Sequence, residues 1–230
     1  MSRVAEDSDL VAPGDVLAED GDTRPGNGTY QEDGKIYSKY TGTVRFSDSR
    51  VDVTPRSGRY IPQEGDIVIG EVSRVSYSSW NVDLDSPYDG MLKIDTAVDE
   101  YIDLDEDELT DYYDVGDAIV VKVTSVSEGM DVNLSMMDKR CRKLSGGRII
   151  DIPPSKVPRV IGKQGTMIKQ IKDRTNTKMI VGQNGLVWIR GEHENLAARA
   201  VRKVEREAHT SGLTQTMGDW LDEQLEEVEG

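Results

Sequence analysis

The segment 160–171, VIGKQGTMIKQI, holds the residues with the clearest chemical potential. Two glycines lie three positions apart, with a lysine and a glutamine between them and a threonine after them: Gly162, Lys163, Gln164, Gly165 and Thr166. Because glycine has no Cβ atom, such a loop lets a sugar-phosphate backbone approach the main chain closely. The unpaired amides and the positive dipole end of the helix predicted to follow favour a phosphate at the same place. The pattern therefore predicts a phosphate-binding loop.

Basic residues flank this loop in the sequence: Lys156, Arg159, Lys169 and Lys172. They supply the positive charge that a groove for a nucleic-acid backbone needs. A second interpretation is the phosphate loop of a nucleotide-binding enzyme, which requires four residues between its glycines and then Lys-Ser or Lys-Thr. Here two residues separate the glycines and Thr166-Met167 follows, so the spacing disfavours that class.

The elements that must position the loop follow the order β-α-α-β-β-α. The hairpin in this order rests on Asn184-Gly185, a dipeptide that favours tight turns because both residues tolerate positive φ. In the last helix, Leu196, Ala200 and Val204 recur every four residues and predict the face that packs on the sheet. The predicted ranges are a strand over 148–152, a helix over 155–161, a helix over 166–175, strands over 178–181 and 186–189, and a helix from Glu192.

This order, together with the glycine loop and its apolar neighbours Val160, Ile161 and Ile168, resembles the KH domain. In that family the loop clamps about four nucleotides of single-stranded RNA. The resemblance implies RNA-binding roles for the five loop residues and for Lys156, Arg159 and Lys169.

Residues 59–138 show short strand patterns in which apolar and polar residues alternate. Gly65-Asp66 and Gly116-Asp117 each precede one of these patterns, which predicts a five-stranded barrel of the OB type. The stretches GDIVIGEV, DGMLKI and GDAIVVKV are similar to the RNA-binding barrel repeated in the ribosomal protein S-one. That resemblance implies that Tyr77 and Trp80 stack on bases and that Lys93 contacts RNA. Packing of both rings under a loop is the alternative for Tyr77 and Trp80. The last hairpin departs from the family, with Ser127 and Asp131 at positions that usually carry an acidic residue and an arginine.

The first segment is rich in turn signals, such as APGD and DGDTRPGNG, and has strand patterns over 35–40, 42–46 and 51–54. It reads as a small β domain for capping or docking. The predicted fold class is therefore multidomain, mainly β and then α+β. Its predicted parts are an N-terminal β docking domain over 1–58, the barrel over 59–138, the KH domain over 139–209 and an acidic tail over 210–230.

The net charge of −15 is unevenly distributed along the chain. Residues 1–138 contain 11 Lys and Arg against 31 Asp and Glu, whereas residues 139–209 contain 17 against 6. A basic module is thus attached to an acidic body. The acidic side chains of that body either keep the protein solvated or contribute to docking on a partner. No apolar run predicts a membrane span or an export signal, and the single Cys141 excludes an intramolecular disulfide. We expect a cytoplasmic protein without cofactor or bound metal.

Taken together, the three modules resemble the RNA-binding cap subunit of the archaeal exosome. That family implies a subunit without catalytic residues, present in several copies, which docks on a hexameric exoribonuclease ring and passes RNA 3′ ends into its channel. A free-standing RNA-binding protein, acting as a chaperone or in translation, shares the same two RNA modules. An enzymatic alternative is metal-dependent hydrolysis by the acidic connector, whose residues are Asp103, Asp105, Glu106, Asp107 and Glu108.

Overall fold

A computed structural model describes residues 2–19, 21, 23–47, 49–55, 58–99, 107–127, 129–208 and 212–229 of the chain. The chain divides into two compact units, Met1–Gly58 and Arg59–Gly230.

The first unit consists of two small antiparallel-rich sheets around one apolar core. One sheet has the strand order β1-β3-β6-β5 and the other β2-β7-β8-β4. Leu17, Ile36, Val44, Val51 and Val53 are buried between them. The strands are β1 (Ser2–Arg3), β2 (Leu10–Val11), β3 (Val16–Glu19), β4 (Arg24–Pro25), β5 (Thr29–Glu32), β6 (Lys35–Ser38), β7 (Gly42–Ser47) and β8 (Arg50–Pro55). The predicted β character of this segment is confirmed.

A closed five-stranded barrel begins the second unit. Its strands are joined in the order β9-β10-β11-β13-β12, and β12 pairs again with β9 to close the barrel. The link between β11 and β13 is parallel, as the crossing connection of an OB-type barrel requires. The elements are β9 (Ile67–Val75), β10 (Ser79–Asp83), β11 (Gly90–Lys93), α1 (Ile94–Ala97), α2 (Leu109–Tyr112), β12 (Ala118–Val126) and β13 (Val132–Ser135).

Each Gly-Asp pair lies just before one strand of the barrel and forms hydrogen bonds with another. Gly65-Asp66 precedes β9 and bonds to β12, and Gly116-Asp117 precedes β12 and bonds to β9. The Gly65 amide donates to the Val123 carbonyl and the Val123 amide donates to the Asp66 carbonyl, each at 2.8 Å. The Gly116 amide donates to the Val72 carbonyl in the same way, also at 2.8 Å. Gly65 and Gly116 have φ of +93° and +90°, a left-handed conformation that favours glycine. The Gly-Asp pair occurs twice in the sequence because the same kind of backbone hydrogen bond ties the start of β9 to β12 and the start of β12 to β9.

A short strand, β14 (Arg142–Lys143), pairs with β12 and leads into the third module. That module has a three-stranded antiparallel sheet of order β15-β17-β16, with three helices on one face. Its elements are β15 (Arg148–Asp151), α3 (Val157–Ile161), α4 (Thr166–Thr175), β16 (Thr177–Val181), β17 (Leu186–Gly191) and α5 (Glu194–Arg206). The predicted β-α-α-β-β-α order is confirmed, with element ends that differ by one or two residues.

The segment predicted to be an acidic tail forms the helix α6 (Leu213–Glu229). Leu213, Met217 and Leu221 recur every four residues and are buried in the same apolar core as α4 and α5. The sequence predicted an acidic tail here without assigning it a secondary structure, and these three apolar residues give the segment a face that packs on the helices.

Candidate nucleic-acid interface

The glycine loop joins α3 to α4 through one tight turn. The Gly162 amide donates to the Pro158 carbonyl at 3.0 Å and ends α3, and the Gly165 amide donates to the Gly162 carbonyl at 3.1 Å. Gly162, Gln164 and Gly165 all have positive φ, of +76°, +54° and +76°. With these backbone angles, the side chains of Lys163 and Gln164 are exposed at the tip of the loop.

The two glycines of the loop are required for different reasons. A Cβ on Gly162 would lie 2.7 Å from the backbone nitrogen of Met167, so the fold itself excludes a larger residue there. A Cβ on Gly165 would meet no atom within 4 Å. The space in front of Gly165 is therefore open, and a phosphate can approach the main chain at this point.

Helix α4 begins directly at this open space. Gly165 is its N-cap residue, and no side chain forms a hydrogen bond that caps the helix start. Thr166, the first helical residue, is exposed. The Thr166 amide donates to the Lys163 carbonyl, whereas no side chain caps the amides that follow it, and the helix dipole favours an anion at this end.

Within the described part of the chain, the lysines around the loop have no carboxylate partner. Among the described residues, neither Lys156, Lys163 nor Lys169 forms an ion pair, whereas Arg174 and Arg202 do. Lys163 and Lys169 are exposed and Lys156 is half-buried. The loop end of the module therefore carries uncompensated positive charge.

Two further predicted cations are less accessible. Burial lowers the pKa of the Lys172 ammonium, and the neighbouring Asp173 carboxylate opposes that shift. Arg159 on α3 is half-buried and already has an interaction within the protein. Both residues flank the loop, as predicted, but their side chains are less exposed to solvent than those of Lys163 and Lys169.

In the barrel, the structure places Tyr77 and Trp80 in opposite environments. Tyr77 lies in the turn between β9 and β10 and is 76% exposed. Trp80 is 0% exposed, lies in the barrel core, and donates its Nε1 hydrogen to the Tyr113 carbonyl at 2.8 Å. A ring in this position cannot stack on a base, so the predicted stacking role of Trp80 is wrong and the packing alternative holds for this residue.

The outward residues of β10 alternate with the buried ones. Because Val82 and Leu84 are buried, the period of two puts Trp80 inside and Asn81 outside, a signal that was present in the sequence. Asn81 pairs with Arg74 on β9 and with Met91 on β11, and these three residues share the outer face. Sequence reasoning missed all three.

Lys93 lies on the same outer surface, opposite Ser79 of β10. It is exposed and forms no ion pair among the described residues, in contrast to Lys122, which lies 3.7 Å from Asp138. Arg74 and Lys93 thus stand on either side of β10 in an otherwise acidic barrel. On the last hairpin, the Ser127 hydroxyl donates to the Asp131 carboxylate at 2.9 Å, so these two residues bind each other.

The hairpin between β16 and β17 connects the third module to the barrel. Asn184 is 1% exposed, and its Nδ2 donates to the carbonyls of Ile69 at 2.6 Å and Leu84 at 2.9 Å. Gln183 accepts a hydrogen bond from the Ile67 amide at 2.7 Å. Of the predicted Asn-Gly turn, Gly185 has positive φ and Asn184 does not, and the Asn184 side chain binds the barrel.

An apolar cluster completes this junction. Ile67, Ile69 and Val120 of the barrel pack with Leu144 and Trp188. The two RNA modules predicted from the sequence are therefore held together as one packed unit.

The described residues contain no group of three or more His, Cys, Asp and Glu side chains that could hold a metal ion. Asp103, Asp105 and Glu106 of the acidic connector lie outside the described residues; Asp107 and Glu108 are within them. Among the described helices, none is long and apolar enough to cross a membrane.

Comparison with protein families gives three matches along the chain. Residues 10–47 match the "Exosome complex exonuclease RRP4 N-terminal region", residues 59–125 match "RRP4, S1 domain", and residues 147–206 match the KH domain.

Individual relatives match over nearly the full length. The chain is 46% identical over 211 residues to the exosome complex component Rrp4 of Methanobrevibacter smithii, covering 91% of this chain and 69% of that protein. It is 43% identical over 234 residues to that of Pyrococcus furiosus, covering 99% and 88%. A crystal structure assigned to an exosome complex RNA-binding protein is similar with a TM-score of 0.67 and 31% identity, over 74% of this chain and 98% of that one. The chain belongs to the family of the archaeal exosome component Rrp4.

Proposed function

We propose that this chain is a non-catalytic RNA-binding cap subunit of the archaeal exosome. It captures single-stranded RNA and guides 3′ ends to a ring-shaped 3′-5′ exoribonuclease for degradation and processing. The observation that carries the proposal is the open space at Gly165, at a helix start without a side-chain cap and with lysines around it that form no ion pair among the described residues, in a member of the Rrp4 family.

The third module supplies the phosphate contacts. The backbone of the loop and the first turn of α4 receive a phosphate, and the nearby lysines neutralise its neighbours along the strand. The residues proposed for this contact are Gly162, Lys163, Gln164, Gly165, Thr166, Lys156, Arg159 and Lys169.

The barrel supplies a weaker second contact. Tyr77 offers an exposed ring on which any base can stack, and Lys93 offers a cation on the same surface. Because Asn184 fixes the barrel to the third module, both contacts act on one RNA strand with a high effective concentration.

The N-terminal unit, residues 1–58, is proposed to dock on the hexameric ring. Its separate core and its match to the Rrp4 N-terminal region support this role. Several copies of the chain are proposed to sit on one ring. The remaining parts are the barrel over 59–138 and the KH module over 139–209, to which we now add α6. The proposed location is the cytoplasm, a reducing compartment that suits a single cysteine.

A reconstitution with the purified ring tests this function. The chain alone should leave labelled RNA intact with or without magnesium or manganese, and it should increase degradation of long substrates when added to the ring. Deletion of residues 1–56 should abolish this gain while RNA binding persists.

Three outcomes would contradict the proposal in different ways. A truncated chain that still stimulates the ring would show that docking involves another segment. If no ring subunits co-purify with the chain from its native cell, a free-standing RNA-binding protein is favoured. RNA cleavage by the chain alone that disappears in the double variant Asp105→Asn and Asp107→Asn would support the enzymatic alternative.

A further inference from the structure

Helix α6 lies across α4 and α5 on the helical face of the KH module. Its apolar residues Leu213, Met217 and Leu221 are 1%, 0% and 0% exposed, so the helix is an integral part of the core. Its polar residues contact cations on the two helices beneath it. The position of these contacts suggests a role beyond packing.

On α4, the partner is Arg174. Its Nε donates to Asp222 Oδ1 at 2.7 Å and its Nη2 lies 3.4 Å from Asp222 Oδ2, so both carboxylate oxygens face the guanidinium. Gly218 makes this approach possible, because a Cβ there would overlap Gln170 and lie 3.2 Å from Arg174 Nη2. The acidic helix is therefore held directly against the side chains of the helix that carries the glycine loop.

On α5, the partners are Arg199 and Lys203. The Trp220 ring centroid lies 5.7 Å from the Arg199 guanidinium carbon and 5.5 Å from the Lys203 ammonium nitrogen. Arg199 also donates to the Gln224 side chain, and Lys203 lies 2.5 Å from Glu207. Each of these cations thus has a partner on α6, and Lys203 has a second one, Glu207, directly after the end of α5.

The cations of the module differ in their contacts with α6. Lys163 and Lys169 near the glycine loop have no carboxylate partner among the described residues, whereas Arg174 pairs with Asp222 of α6 and Lys203 contacts the Trp220 ring of α6. Arg199 stays exposed although it contacts Trp220 and Gln224. We propose that α6 is an intramolecular mask that withholds Arg174 and Lys203 from RNA and so confines the strand to the glycine-loop end of the module. This inference rests on the proposed RNA-binding function.

The physical basis is competition between anions. An arginine held by both oxygens of a carboxylate must break two charge-assisted hydrogen bonds before it can bind a phosphate. Binding RNA at such a residue releases no net counterion unless the carboxylate leaves. A masked arginine should therefore contribute nothing to the salt dependence of RNA binding, and an unmasked one should add about 0.7 to the slope of log affinity against log salt.

A pair of charge-matched variants of the full chain tests the mask, with a single-stranded oligonucleotide as the probe. Asp222→Asn removes the partner of Arg174, and Glu223→Gln makes the same change of charge at the next residue, which is exposed and has no contact with Arg174. We expect Asp222→Asn to steepen the salt slope by about 0.7 and to bind RNA several-fold more tightly at low salt, with Glu223→Gln close to the parent. Equal behaviour of the two variants would overturn the proposal.

Arg174→Gln completes a double-mutant cycle with Asp222→Asn. In the parent background it should leave the salt slope unchanged, because Arg174 is masked. In the Asp222→Asn background it should remove the gained slope. A reduced slope for Arg174→Gln alone would show that this arginine already contacts RNA, and would contradict the mask.

Removal of the whole helix is a less informative variant, because Leu213, Met217 and Leu221 belong to the core and their loss can unfold the module. The point substitutions keep these contacts. Gly165→Asp, measured in the same assay, separates the two hypotheses. If Gly165→Asp binds RNA as the parent does, the proposed function fails; if it loses binding while the Asp222→Asn slope stays unchanged, only the mask fails.

Discussion

The glycine loop and the outer face of the barrel are both proposed to bind RNA, but they are built differently. The loop presents backbone amides, an uncapped helix start and unpaired lysines at one open point. The barrel face presents the exposed ring of Tyr77 and the separated cations Arg74 and Lys93 on a largely acidic domain. The comparison indicates that the loop provides most of the phosphate binding and that the barrel provides stacking.

The same comparison explains why one site was easier to locate from the sequence. The loop residues are contiguous, and the conformation of a glycine turn leaves little freedom in where they point. On a strand, a shift of one residue moves a side chain from the outer face to the core. Trp80 lies on the inward side of β10, although an aromatic residue at that place suggested a stacking platform.

The largest expected effect tests the inward position of Trp80. Replacement of this fully buried ring by alanine should lower the free energy of unfolding by about 3–5 kcal/mol, because it leaves a cavity and an unpaired Tyr113 carbonyl. Denaturant unfolding followed by circular dichroism measures the change. Tyr77→Ala is the matched control, since it should leave stability unchanged and weaken RNA binding. The reverse pattern would restore Trp80 as the stacking residue.

The next effect tests whether the two RNA sites act as one unit. Asn184→Ala should lower the free energy of unfolding by about 1–3 kcal/mol, because the buried carbonyls of Ile69 and Leu84 lose their donor. It should also make the barrel and the KH module melt separately in calorimetry. Gln183→Ala, at an exposed neighbour with one side-chain hydrogen bond to the barrel, should cost less. A single unchanged transition in Asn184→Ala would show that the apolar cluster alone joins the modules.

The order of elements, the barrel class and the KH module were predictable because each rests on local patterns. Alternation gives the strands, the Gly-Asp pairs mark the starts of β9 and β12, and the spacing of Leu196, Ala200 and Val204 gives the buried face of α5. The glycine loop was predictable for the same reason.

What could not be predicted depends on contacts between distant residues. Asn184 looked like a residue of a tight turn, but it binds Ile69 and Leu84, 115 and 100 positions earlier in the chain. Helix α6 was expected only as an acidic tail, because its acidic residues outnumber its three buried apolar residues, and what those apolar residues cover depends on α4 and α5. Arg174 likewise appeared to be one more cation of the basic block until its pairing with Asp222 was seen.

An intermediate effect tests the open space in the glycine loop. Gly165→Asp should weaken RNA binding by about tenfold or more, or about 1.4 kcal/mol, because it places a carboxylate where a phosphate would lie. The fold should survive, since the site is sterically open and Asp tolerates the left-handed conformation at φ of +76°. Gly165→Asn is the control with the same shape and no charge, and it should retain more binding. If Gly165→Asp binds RNA as tightly as the parent, this loop does not hold a phosphate.

The smallest expected effect concerns a single phosphate contact. Lys163→Gln should reduce the slope of log affinity against log salt by about 0.7 and weaken binding a few-fold at moderate salt, because Lys163 is exposed at the loop tip and has no carboxylate partner among the described residues. Lys139→Gln removes the same charge from an exposed lysine in the basic linker and should change the slope much less, since it is not at the loop. Fluorescence anisotropy with a short single-stranded RNA at several salt concentrations measures both. If the two variants change the slope equally, the basic block attracts RNA through its total charge, and the distinction between a loop that binds phosphate and a barrel that stacks on bases loses its electrostatic basis.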